Sequence, residues 1–174
     1  MNTTPLDAVK NKSADQKFPD FIKLFEAYEK LDNGARAMIR RTASAGQLLD
    51  EPTFYRLVGP LGYESKQRQQ WARVVFCLCL PESQIRHVPN GLSLGAALSH
   101  GGRITDRRLF QVLRSEPPYD MTQLRRLILF VKPALDRGKA AKTLWYWGES
   151  SRRSLLEDFI LYQPASDTAE TAPH

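Results

Sequence analysis

SKQRQQWARVVFCLCL, residues 65–80, decides how the fold is read. Its second part, Trp71 to Leu80, is the most apolar segment of the chain and could form a buried strand. Its lead-in, SKQRQQWAR, has the composition of a helix with no Gly or Pro to interrupt it. One helix from about Ser65 to Leu80 is therefore expected.

The segments on either side agree with this. Upstream, Phe21, Leu24, Phe25, Tyr28 and Leu31 recur at three and four residues, the spacing of one helix face. Asn33-Gly34 is expected to end that helix, with a restart through Ala35–Arg41. Pro52 suits the first turn of a helix through Phe54, Leu57 and Val58, which Gly59-Pro60 stops. Downstream, residues 81–91, PESQIRHVPNG, read as a loop. Ser93 caps a short helix, SLGAALSH, ended by Gly101-Gly102, and Thr105-Asp106 starts the next, with Leu109, Val112 and Leu113 inward. After Pro117-Pro118, Asp120 is expected to cap a helix with Leu124, Leu127, Ile128 and Val131 on one face, kinked or restarted at Pro133. A helix reaching Trp147 should end at Gly148. Ser150 or Ser151 then caps a last helix with Leu155, Leu156, Phe159 and Ile160 inward. There is no internal repeat and no alternating strand pattern. The expectation is an all-α protein of eight or nine short helices in two packed bundle-like lobes, residues 18–98 and 99–163. Flexible tails are expected at 1–17 and 164–174.

Charge is unevenly spread. Of the 174 residues, 1–35 carry a net −1 and 154–174 a net −4, while 36–153 hold all sixteen Arg and four Lys against nine acids, a net +11. A basic body implies a polyanionic partner, and Arg presents a planar fork matched to phosphate. No run approaches the roughly 18 apolar residues of a membrane span, and the N-terminus lacks the apolar stretch of a signal peptide. A soluble cytoplasmic protein is expected.

Catalytic and metal-binding patterns are missing. His87, His100 and His174 have no second His or acid at ligand spacing. Cys77 and Cys79 have no further Cys to complete a metal set and read as reduced core residues. The adjacent Glu157-Asp158 cannot pair across a cleft, and no phosphate-binding glycine loop or nucleophile elbow occurs. The sequence is expected to be non-enzymatic, without metal or cofactor.

The arginines carry more information. Arg40-Arg41, Arg107-Arg108, Arg125-Arg126 and Arg152-Arg153 form four adjacent pairs. Two of them, Arg107-Arg108 and Arg152-Arg153, fall in the first turns of expected helices, where a cation costs roughly 0.3–1 kcal/mol against the helix dipole. A bound phosphate would reverse that sign. Trp71, Trp145 and Trp147 lie among apolar residues and read as core, which leaves Tyr63 and Tyr119, in turns, as the better base-stacking candidates. The segment SLGAALSHGGRITDRRLFQVLR also has the outline of a helix-turn-helix, so a DNA-binding transcriptional regulator is the rival reading.

LDNGARAMIRR (31–41), FYRLVGPLGY (54–63), SLGAALSHGGRITDRRLFQVLR (93–114), DMTQLRRLI (120–128) and LWYWGESSRRSLLEDFIL (144–161) occur in this order. Together they make residues 21–162 resemble the CasB family, the small subunit of the type I-E CRISPR surveillance complex Cascade. The resemblance implies a two-lobed helical subunit without catalytic residues. It would sit as a head-to-tail pair in the complex, against the guide-RNA backbone subunits and the large subunit. It would help hold the opened target DNA while the guide RNA pairs, with sequence reading delegated to base pairing. It also implies a nucleic-acid face made from Arg40, Arg41, Lys66, Arg68, Arg103, Arg107, Arg108, Arg125, Arg126, Lys142, Arg152 and Arg153. The N-terminal tail is longer than is usual for the family, and the 81–91 loop is where members are expected to differ.

Overall fold

The computed structural model describes residues 19–162, so the expected tails lie outside the described residues. Among these residues nine α-helices follow in order: α1 Phe21–Glu29, α2 Asn33–Arg41, α3 Pro52–Val58, α4 Arg68–Leu78, α5 Leu94–Ser99, α6 Asp106–Leu113, α7 Tyr119–Val131, α8 Arg137–Trp145 and α9 Glu149–Leu161. Three short 3-10 turns, Gly46–Asp50, Gly59–Leu61 and Ser65–Gln67, link the early helices. The deciding stretch is helical, the Ser65–Gln67 turn leading directly into α4. It looks strand-like because α4 is central. Trp71, Ala72 and Val74 through Leu78 are all buried, and α2, α7 and α8 surround it. A helix with neighbours on most sides loses its polar face and with it the clean helical period.

Several helix ends differ from expectation. Asn33-Gly34 opens α2 instead of ending α1, because Asp32 Oδ1 accepts the Ala35 N–H at 2.8 Å. α7 stops at Val131, where Lys132 adopts a left-handed φ of 53°. Asp136 then caps α8, accepting from Gly138 and Lys139 N–H. α8 ends at Trp145, and Gly148 is the residue before α9, ahead of Ser150 and Ser151. The 81–91 loop contains a two-residue strand, β1 Arg86–His87, paired in parallel with β2 Ala134–Leu135. This is the only sheet among the described residues.

One contiguous core cluster takes in side chains from both sides of residue 98. The expected 98/99 boundary falls at the end of α5, and packing crosses it, with α4 on α7 and α8, α1 on α8, and α5 on α9. The α5–α9 seam is tightly packed. All six α5 residues are buried there, and a Cβ built on Gly95 would lie 2.2 Å from the Leu155 carbonyl oxygen. The helix-turn-helix outline is not realised, since α5 packs on α9, α7 and α8 and not as a pair with α6.

Trp71 and Trp145 form an edge-to-face pair with centroids 5.2 Å apart, and Phe21 meets Trp145 edge-on at 5.6 Å. Cys77 and Cys79 are fully buried, and burial pushes both thiols up from 9.0 to about 12. Since the unfolded thiols ionise near 9, their contribution to stability is intact below that pH and is lost as pH rises toward 12. The native protein should therefore leave a thiol-reactive dye at pH 8 uncoloured, and two thiols should react once denaturant is added. Rapid labelling of the folded protein would contradict this burial.

Candidate nucleic-acid interface

The arginines divide into inward and outward sets. Arg125 is buried, and its Nη2 donates to the Arg40 carbonyl at 2.9 Å while Nη1 donates to the Thr42 carbonyl at 3.0 Å. Its guanidinium carbon stands 4.4 Å from the centroid of Phe76. Arg125 therefore caps the C-terminus of α2 from within, which corrects its expected place on a nucleic-acid face. Arg73, outside the expected set, acts in the same way, donating to the Leu144 and Trp145 carbonyls at the end of α8. The buried Arg137 reaches the Leu80 and Ile85 carbonyls of the segment that follows α4. A helix C-terminus exposes carbonyls without intrahelical partners and carries partial negative charge, so an internal cation satisfies both. Burial lowers the pKa of all three guanidiniums from the usual value.

Arg152 is also largely committed to the structure. It donates to the Leu113 carbonyl at 3.1 Å, pairs with Asp120 at 3.3 Å, and lies over the Trp147 ring at 5.3 Å. Asp120, expected as a helix cap, is instead a buried hub within the first turn of α7. It accepts the Met121 N–H at 2.7 Å and the Trp147 indole N–H at 2.9 Å. Arg152 and Arg153 are the fourth and fifth residues of α9, just past its first turn. Arg153 stays exposed and pairs with Glu149.

The outward set gathers on α6, α7 and the segment just before α6. Arg103, Arg107, Arg108 and Arg126 are exposed. Arg107 and Arg108 sit in the first turn of α6, behind the Thr105 cap and next to Asp106. Arg108 and Arg126 line one groove between α6 and α7, with Gln111 and Gln123. Arg103 and Arg108 both lie over the ring of Phe130, at 4.6 and 4.9 Å. The Arg125 bonds hold the end of α2, which carries the exposed Arg40 and Arg41, against α7. The remaining expected residues have other neighbours. Lys66 pairs with Glu64 at 2.8 Å, which raises its pKa, and Arg68 Nε donates to the Ser65 carbonyl. Lys142, on α8, borders a different cleft with Phe21, His87 and Asp136.

The aromatic residues also sort differently from expectation. Tyr63 packs edge-on against Phe54 and Tyr55, whereas Tyr119 is open to solvent. Phe130, which sequence reasoning passed over, stands beside the arginines and is 40% exposed. A faint signal was present. Phe130 follows Arg126 by four residues, which puts it on that arginine's side of α7, away from Leu124.

Fold and surface together define a class: a small helical protein whose arginines divide between internal helix capping and one outward arginine–aromatic face. Among the described residues there is no group of three or more His, Cys, Asp or Glu side chains placed to hold a metal. No helix of the described residues is long and apolar enough to cross a membrane. No protein-family profile matches the chain. The chain is 45% identical over 149 residues to the CRISPR system Cascade subunit CasB of Escherichia coli strain K12, an alignment covering 82% of this chain and 93% of that protein. It also superposes on a chain of the crystal structure of Escherichia coli Cascade bound to a PAM-containing double-stranded DNA target. There the TM-score is 0.79 and the identity 46%, covering 84% of this chain and 97% of that one. The chain belongs to the CasB family.

Proposed function

We propose that this chain is a non-catalytic small subunit of a Cascade complex that binds nucleic acid without sequence preference and stabilises opened target DNA. Its partners would be a second copy arranged head to tail, the backbone and large subunits, the guide RNA and the target DNA. Family membership supports the subunit role, since the solved relative is Cascade with a DNA target. The α6–α7 face carries the nucleic-acid role, because Arg103, Arg107, Arg108 and Arg126 are exposed on neighbouring elements while Arg125 and Arg152 turn inward. Phosphate contacts of this kind need no base recognition, and opening of the duplex is close to neutral once the guide hybrid forms. A few phosphate contacts can then shift the balance.

The test is charge reversal. In the free protein, Arg107→Glu with Arg108→Glu should weaken binding and lower the salt slope by roughly one for each phosphate that is no longer neutralised. Stability should change by no more than about 1 kcal/mol, because acids suit the first turn of α6 while the Arg108 contact with Phe130 is lost. Weaker binding at nearly unchanged stability cannot come from a folding defect. An unchanged affinity and salt slope would show that this face is not the nucleic-acid track. Arg152→Glu should behave differently and destabilise the fold, since it would set a second carboxylate against the buried Asp120.

A further inference from the structure

Phosphate binding alone gives no role to Phe130. A large ring, 40% exposed, stands on α7 one turn beyond Arg126 and three residues after the buried Leu127. The two guanidiniums over it come from different segments. Arg108 belongs to α6, while Arg103 follows the turn of Gly101 and Gly102, whose φ angles of 91° and 62° are open to glycine and strained for other residues. Convergence of both on one ring is therefore built by the tertiary fold. A guanidinium stacked on a ring keeps its N–H donors in its own plane, directed past the ring edge, where a phosphate can take them. Both the ring and the guanidinium planes offer flat faces on which a base can stack.

We propose that Phe130, with Arg103 and Arg108 layered against it, is a stacking platform for one unpaired base of single-stranded DNA, with Arg126 holding an adjacent phosphate. The inference rests on the nucleic-acid reading given under Proposed function and adds a base contact to it. A paired strand keeps its bases stacked inside the duplex and cannot use the platform. Every base has a π face, so the site separates single from double strands without reading sequence.

An oligothymidylate and an abasic oligonucleotide of the same length test this, because they present equal numbers of phosphates and differ only in bases. Binding to the full-length chain, followed by fluorescence anisotropy, should favour the oligothymidylate on the order of tenfold. Phe130→Leu should remove that difference, and Phe130→Trp should keep it. The salt slope should be the same for both oligonucleotides, since their phosphates are held alike. A thermal melt checks that both variants fold. A merely structural ring would not move the difference between the two ligands. Equal binding of both oligonucleotides by the parent, with a normal salt slope, would overturn the platform and leave the phosphate reading standing. Absence of salt-dependent binding to either would overturn both.

Discussion

Arg125→Ala is expected to lower stability by about 3 kcal/mol, in the range found when charge-assisted hydrogen bonds to buried acceptors are removed. The substitution strips partners from the Arg40 and Thr42 carbonyls and removes the cation over Phe76. It also leaves a void between α2, α4 and α7. Part of the loss is offset, because a buried guanidinium carries a desolvation cost that alanine does not. Arg125→Lys should recover only part of the stability, since an ammonium lacks the planar fork that spans both carbonyls. At roughly 2–4 °C per kcal/mol for a chain of this size, the melting temperature of the alanine variant should fall by about 6–12 °C. Amide exchange in α2 should quicken more than in α9, because the missing bonds are at the α2 terminus. A variant that melts within a degree of the parent would show that Arg125 is not a cap. The same substitution would weaken nucleic-acid binding only indirectly, by loosening the helix end that bears Arg40 and Arg41.

Gly95→Ala is expected to destabilise, although alanine is the better helix former by about 1 kcal/mol. On an exposed helix the propensity gain would win. Here the added methyl would stand 2.2 Å from the Leu155 carbonyl oxygen and 2.9 Å from Asp158 Cβ. The nearest atom is backbone, so no side-chain rotation relieves it. α5 and α9 must separate, and overpacking of this kind costs typically 1–3 kcal/mol. Separation would also strain the Ser93 Oγ–H donation to Asp158, 2.6 Å long. A net loss of about 1 kcal/mol is expected, measured by denaturant unfolding with an unchanged m-value. A variant as stable as the parent would mean that the two helices do not approach this closely.

Both residues illustrate what local pattern conveys. Gly95 was recognisable as part of a helix of small residues, SLGAALSH, but its neighbour lies sixty residues away in α9. Arg125 and Arg126 are adjacent and chemically identical, and nothing in the sequence separates them. α7 turns one toward α2 and Phe76 and the other toward the α6 groove. The Arg152-Arg153 pair divides the same way, one against Asp120 and Trp147 and the other in solvent. Doublets of like charge on a helix point about 100° apart, so at a helix with one buried side they are often split.

Helix identity, most helix positions and the basic character of the body came from short-range information. Apolar spacing, caps and glycine stops act within a turn or two, and charge is a sum over residues. The family was legible too, because long ordered segments carry it. The roles of the arginines were not. Whether a guanidinium caps a carbonyl in the core or faces a phosphate outside depends on which helix end is brought beside it, and that partner can lie eighty-three residues away, as for Arg125 and Thr42. Phe130 was hidden for the same reason. Its exposure and its two guanidiniums exist only once the glycine turn and α6 have folded back over α7.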